Sequence, residues 1–212
     1  MNLFLLYGSA FVVALSGALM PGPLLAVTLG HSPRYGWTFG PFAIFGHAIL
    51  ELGLISVVFL GAGPVLKSPG VQAGVGFIGG LILVWMGWGM FKMARSGDEK
   101  EPSSSRVEAR GRPVVLGILT SVSNPYWTLW WATVGLAYLT VAAKSGPIGI
   151  VVFFLGHISG DLAWYTLVSW GAARGMKLTG TRFYSGVLAI CSVILVVLGS
   201  WFVWYGAGLM MN

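Results

Sequence analysis

Apolar runs of about 18 residues or more recur along the whole chain, and no other feature limits its fold so strongly. Inside a bilayer every backbone N–H and C=O must find a partner within the protein, which leaves only helical bundles and closed barrels. The period-2 alternation of membrane barrel strands is absent, so the sequence predicts an all-α membrane protein. Composition agrees. Only 8% of the 212 residues are charged, where a soluble domain carries about a quarter. The first 25 residues lack a basic start, and their small residues run straight into "MPGP", a poor cleavage context, so they read as a mature span.

Six spans are expected near Leu3–Gly30, Trp37–Gly61, Val71–Phe91, Pro113–Leu139, Pro147–Gly171 and Phe183–Gly206. The one long polar stretch, "ARSGDEKEPSSSRVEARGR", has the Ser, Pro and mixed charge of a solvated linker. It divides the chain into a first three-helix repeat (1–93), a linker (94–112) and a second repeat (113–212). Ten lysines and arginines fall in the linker and the loops on its side of the membrane, and two, Lys67 and Lys144, on the other. By the positive-inside rule the linker is cytoplasmic and both termini lie outside. That asymmetry also accounts for the net charge of +6 without a nucleic-acid partner.

Two short segments break the apolar pattern in the same way. "GHAILE" places His47 and Glu51 in the middle of span 2, and "GHISGD" places His157 and Asp161 in the middle of span 5. His47 to His157 and Glu51 to Asp161 are both separations of 110 residues. Residues at i, i+4 share a helix face, about 6 Å apart along the axis. A carboxylate at mid-bilayer costs about 2.5–3.5 kcal/mol on insertion scales, so a pair of them beside histidines calls for a compensating role. With three spans per half, the second copy enters the membrane inverted, as in secondary transporters whose site lies at the midplane. The plainer alternative is a hydrogen-bond network that locks spans 2 and 5 together.

Spans 1 and 4 are each interrupted, by "MPGPLL" and by "SNPYW". Asn124 suits an N-cap and Pro125 a first helical residue, and Gly22 and Pro23 fit those parts in span 1. Each break starts a half-helix whose free N–H groups and positive dipole end can hold a carboxylate. Pro23 stands closer to the cytoplasmic end of its span than Pro125 does to its own, so the two breaks need not share a depth. The pairs Gly36/Gly40, Gly76/Gly80 and Gly156/Gly160 suggest close helix packing. Trp127, Trp130, Trp131, Trp164 and Trp170 read as belt or packing residues, with a place in the lining of a substrate pocket left open for one or two of them. His31 reads as interfacial, and Cys191 as an inert buried thiol.

At "MPGP", at the following glycines Gly36, Gly40 and Gly46, and at "SNPYW", the chain resembles the lysine exporter (LysE/RhtB-type) family of translocators. Pro21, Gly22, Pro23, Asn124 and Pro125 match that family's helix breaks. The resemblance implies export of amino acids or related small metabolites, driven by the proton gradient. The cargo carboxylate would sit on the half-helix ends and its ammonium against Glu51 or Asp161, with protonation releasing it. The paired "GHxxxE/D" elements depart from the expected pattern and make a divalent-metal exporter the rival, with His47, Glu51, His157 and Asp161 as ligands. Neither reading requires a cofactor or makes the protein an enzyme. The expected partners are a small-molecule substrate and the lipid bilayer, with a homodimer left open.

Overall fold

The computed structural model describes residues 2–20, 22–62, 68–96 and 106–211, without the side chains of a few helical residues, chiefly at 106–111 and 176–184. Pro21, Lys67 and residues 97–105 of the 94–112 linker lie outside the described residues. Helices α1 (Leu3–Ala18), α2 (Pro23–Tyr35), α3 (Phe39–Val57) and α4 (Pro69–Ser96) form the first half of the chain. Helices α5 (Arg106–Val122), α6 (Pro125–Trp130), α7 (Leu136–Ala143) and α8 (Gly146–Met211) form the second, and no strand occurs among the described residues.

Four helical stretches are long and apolar enough to cross a membrane: Phe39–Gly61, Pro69–Lys92, Gly146–Gly175 and Leu188–Met211. Helices α1 and α2, bent by 82° at the break, together have the length and apolar composition of a fifth. The stretch expected as span 4 is divided at Asn124. Its first part, Arg112–Val122, is apolar but shorter than a crossing. The last two stretches share one helical run, α8, yet Asp161 and Tyr205 line the same cavity. A straight helix would hold them about 65 Å apart at 1.5 Å per residue. The run therefore turns back on itself between the stretches.

Small residues set the helix contacts, as expected where packing rather than water exclusion drives association. Helices α3 and α5 touch through two glycines in reciprocal fashion. A side chain on Gly46 would run into Val114 O, and one on Gly117 into Ala43 O. Gly156 and Gly160 seat the first stretch of α8 on Tyr7 and Phe11 of α1, and Gly76 and Gly80 seat α4 on Gly206 and Gly199. Gly36 behaves differently from the packing role expected for it. It ends α2 at φ 84° with nothing within 4 Å of its would-be Cβ, so it serves the turn into α3.

Two apolar cores result. One gathers Leu24, Val27, Phe39, Ala43, Tyr165, Leu188 and Leu195. The other gathers Leu6, Ala10, Ile55, Trp130, Trp131 and Phe153. Helix α3 leaves the first core at Ile44 and enters the second at Ile55, and α8 leaves the second at Phe153 and enters the first at Tyr165. The two helices thus run antiparallel between the same two cores. His47 and Glu51 on one, and His157 and Asp161 on the other, fall in the gap between them. Phe45, Ile49 and Leu52 point the opposite way from α3 and are exposed, as a lipid-facing side requires.

Candidate functional site

The four ionisable residues are all buried and all meet. His47 Nε2 lies 3.0 Å from Glu51 Oε1 and 3.5 Å from Asp161 Oδ2. His157 Nε2 lies 3.2 Å from Glu51 Oε2 and 3.4 Å from Asp161 Oδ2. Each imidazole therefore faces both carboxylates, in a ring that alternates base and acid. One nitrogen from each histidine and one oxygen from each carboxylate lie within 4.8 Å of one another. Glu51 is 1% exposed, less than many of the leucines in this chain.

Neighbouring groups fix the hydrogens. The hydroxyl of Ser121 donates to Gly117 O at 2.7 Å, so its oxygen accepts from His47 Nδ1–H, also at 2.7 Å. That leaves His47 Nε2 aimed at two carboxylates. A bare lone pair there would repel both, whereas a proton on Nε2 would be attracted to them. The indoles of Trp127 and Trp131 donate to Glu51 Oε1 at 3.2 and 2.8 Å, and an indole N–H can only donate. Oε1 is accordingly an acceptor, and the carboxylate is held from behind. His157 is clamped by rings, with Trp130 at 4.9 Å and Phe153 at 6.0 Å between centroids.

The contacts single out two of the tryptophans. Trp127 and Trp131 are not only belt or packing residues. They stand four apart across the junction of α6 with the π-helical turn Trp131–Gly135, and both reach Glu51. Their i, i+4 spacing is a visible signal, but nothing in the sequence says that it faces Glu51. Ser121 was likewise not legible as a partner of His47. His31, near the end of α2, is half-buried, with Nδ1 2.9 Å from Val27 O and its ring stacked on Phe39 at 5.3 Å. Cys191 is buried at 2% exposure, as its apolar run suggests.

A cavity of about 350 Å³ opens beside the ring. His47, Glu51, His157 and Asp161 line it, and so do Gly22, Pro23, Asn124 and Pro125. The two breaks meet there, with Gly22 close enough to Asn124 that a Cβ would lie 3.8 Å from the Asn124 amide nitrogen. Their unequal distances from the span ends do not separate them. Their ends differ in chemistry, however. The Asn124 side chain accepts from Tyr126 N, and its carbonyl accepts from Trp127 N, so α6 satisfies its own first donors. Gly22 gives α2 no side-chain cap, which leaves the first N–H groups of α2 for a ligand. The rest of the lining is apolar or aromatic, including Leu24, Leu198, Trp201, Phe202 and Tyr205, and no lysine or arginine lines it among the described residues.

An all-α protein that wraps a cavity around four buried ionisable side chains in its membrane-crossing helices is a multi-pass membrane protein built to handle a small molecule or ion. Comparison with protein families matches residues 15–206 to the LysE type translocators. The chain belongs to that family, and its class is the membrane transporter of amino acids or small metabolites. Searches of curated proteins and of solved structures returned no match.

Proposed function

We propose that the protein exports an amino acid or a related small metabolite in exchange for protons. The observation that carries this reading is the shared cavity, which joins the uncapped start of α2 to the His–carboxylate ring. A carboxylate fits the N–H groups of α2. An ammonium group fits the side of the ring that Asp161 and Glu51 present. The apolar walls take the remainder of the cargo, and the lack of a lining cation disfavours a polyanion. Protons are the natural counter-ion, because protons and a cargo ammonium compete for the same carboxylates. Antiparallel α3 and α8, each with its His–acid pair between the same two cores, support an inverted repeat in which one half rocks against the other.

The reading is checked with the purified protein in liposomes carrying an internal pH dye. An outward-directed gradient of the right amino acid is expected to drive proton flux into the vesicles, and a panel of neutral, basic and acidic amino acids identifies it. No cargo-dependent proton flux across the whole panel would refute the proposal.

The same proposal places the linker in the cytoplasm and both termini outside, on the ten-to-two lysine and arginine asymmetry. A reporter active only outside the cell is expected to be silent after Ser104 and active after Asn212. Activity after Ser104 reverses the orientation.

A further inference from the structure

We propose that His47, Glu51, His157 and Asp161 bind one divalent transition-metal ion of the zinc class. Three independent features of the ring converge on this. The first is spacing. Four ligands bonded to zinc at about 2.0–2.1 Å in a tetrahedron stand about 3.3 Å from one another. The four imidazole-to-carboxylate distances here run from 3.0 to 3.5 Å, and the ligand atoms all lie within 4.8 Å of each other. The four imidazole-to-carboxylate edges already match, and the two remaining pairs, which lie within 4.8 Å, close by up to about 1.5 Å to complete the tetrahedron.

The second is orientation. A ligating histidine ordinarily donates its other N–H to a fixed acceptor, and a ligating carboxylate is ordinarily hydrogen-bonded on its free oxygen. His47 and Glu51 have these supports, while His157 Nδ1 is buried without a hydrogen bond. Ser121 accepts from His47 Nδ1 and is itself anchored on Gly117 O, which leaves Nε2 as the ligand. Trp127 and Trp131 occupy Glu51 Oε1, while Glu51 Oε2 and Asp161 Oδ2 are buried and accept no hydrogen bond. Asp161 Oδ2, the two Nε2 atoms and one oxygen of Glu51 are the four donors.

The third is charge and donor type. Two carboxylates share a buried site with no lysine or arginine among the described lining residues. One divalent ion cancels their charge. Two imidazoles and two carboxylates suit zinc, cobalt or a neighbouring ion, whereas calcium and magnesium take oxygen ligands and more of them. Because the ligands project from two helices packed through glycine, rather than from a loop, their positions are held before the ion arrives.

The metal would take the same carboxylates that hold the cargo ammonium in the reading above; Co²⁺ binding itself is independent of that reading, and only its expected effect on transport rests on it. The test is titration of the purified full chain in detergent with Co²⁺, whose four-coordinate complexes absorb strongly in the visible. One Co²⁺ per chain is expected, displaced by stoichiometric Zn²⁺. Asp161→Asn and His157→Gln should each weaken Co²⁺ binding by at least about 100-fold, and Ser121→Ala by about tenfold, with unchanged size-exclusion profiles. Absence of a saturable Co²⁺ band in the wild-type protein overturns the site. So does equal affinity in wild-type and Asp161→Asn protein, and Ser121→Ala provides the same comparison if a ligand variant does not fold. In liposomes, Zn²⁺ is expected to block cargo-driven proton flux. Zn²⁺ that instead crosses the membrane upholds the site and overturns the organic-cargo reading.

Discussion

Glu51→Gln is expected to lower transport by about 100-fold or more, roughly 3 kcal/mol at 1.4 kcal/mol per tenfold, while the protein still reaches the membrane. The amide keeps the shape of the side chain and an oxygen for the indoles of Trp127 and Trp131, which donate to Glu51 Oε1 in the native protein. It cannot titrate or carry charge, and Glu51 is the one carboxylate that meets both histidines with the two indoles behind it. His157→Gln should cost nearly as much. Because the two residues touch at 3.2 Å, the double variant should lose far less than the sum of the single losses. Transport by both single variants at the wild-type rate, with only thermal stability reduced, would make the ring a packing network and nothing more.

Pro23→Ala is expected to cost more transport than Pro125→Ala, and a comparison of the two apparent KM values checks it. Both prolines open a helix at the cavity, but only α2 lacks a side-chain cap. Alanine at position 23 restores an N–H and lets α1 continue toward α2, which redirects the donors that the break presents. A rise in KM of about tenfold corresponds to the loss of one charge-assisted hydrogen bond, about 1.5–3 kcal/mol. At Pro125 the Asn124 side chain and carbonyl already satisfy Tyr126 N and Trp127 N, so the helix start survives the change. Equal effects at the two positions would remove the argument that α2 holds the cargo carboxylate.

Much of this site was written in local chemistry. An apolar run that also contains a histidine and an acid at i, i+4 announces itself in one dimension, because helical geometry alone puts both on one face. The helix breaks are equally local: proline has no N–H to give, and Asn124 caps the residue two positions on. The repeated spacing of 110 residues links the two pairs within the sequence itself.

Other features could not be read that way. Nothing in the sequence distinguishes Trp131, which holds Glu51, from Trp170, which carries Arg174 over its ring at 4.2 Å. Both are aromatic residues in apolar helices, and only the side of the helix that meets a neighbour decides which is structural and which is part of the site. Ser121 is one of many serines, and its hydrogen bond to His47 spans 74 positions of chain. The same holds for Gly36 and Gly40, identical in type and four apart. Gly36 ends a helix at positive φ, and Gly40 lets Tyr165 approach.

By itself the sequence determined that the chain is an all-α membrane protein, that two of its helical segments are interrupted, and that two His–acid pairs lie within apolar stretches. These follow from the cost of unpaired backbone groups in lipid and from the repeat of a single helix, neither of which needs a partner. The tertiary structure alone decided that the pairs close into one ring, that two tryptophans and a serine orient it, and that only one of the two helix starts carries a side-chain cap. Those outcomes depend on how closely α3, α5, α6 and α8 approach. That approach is set by glycines meeting backbone across long separations in the chain, where a single added Cβ would hold the helices apart.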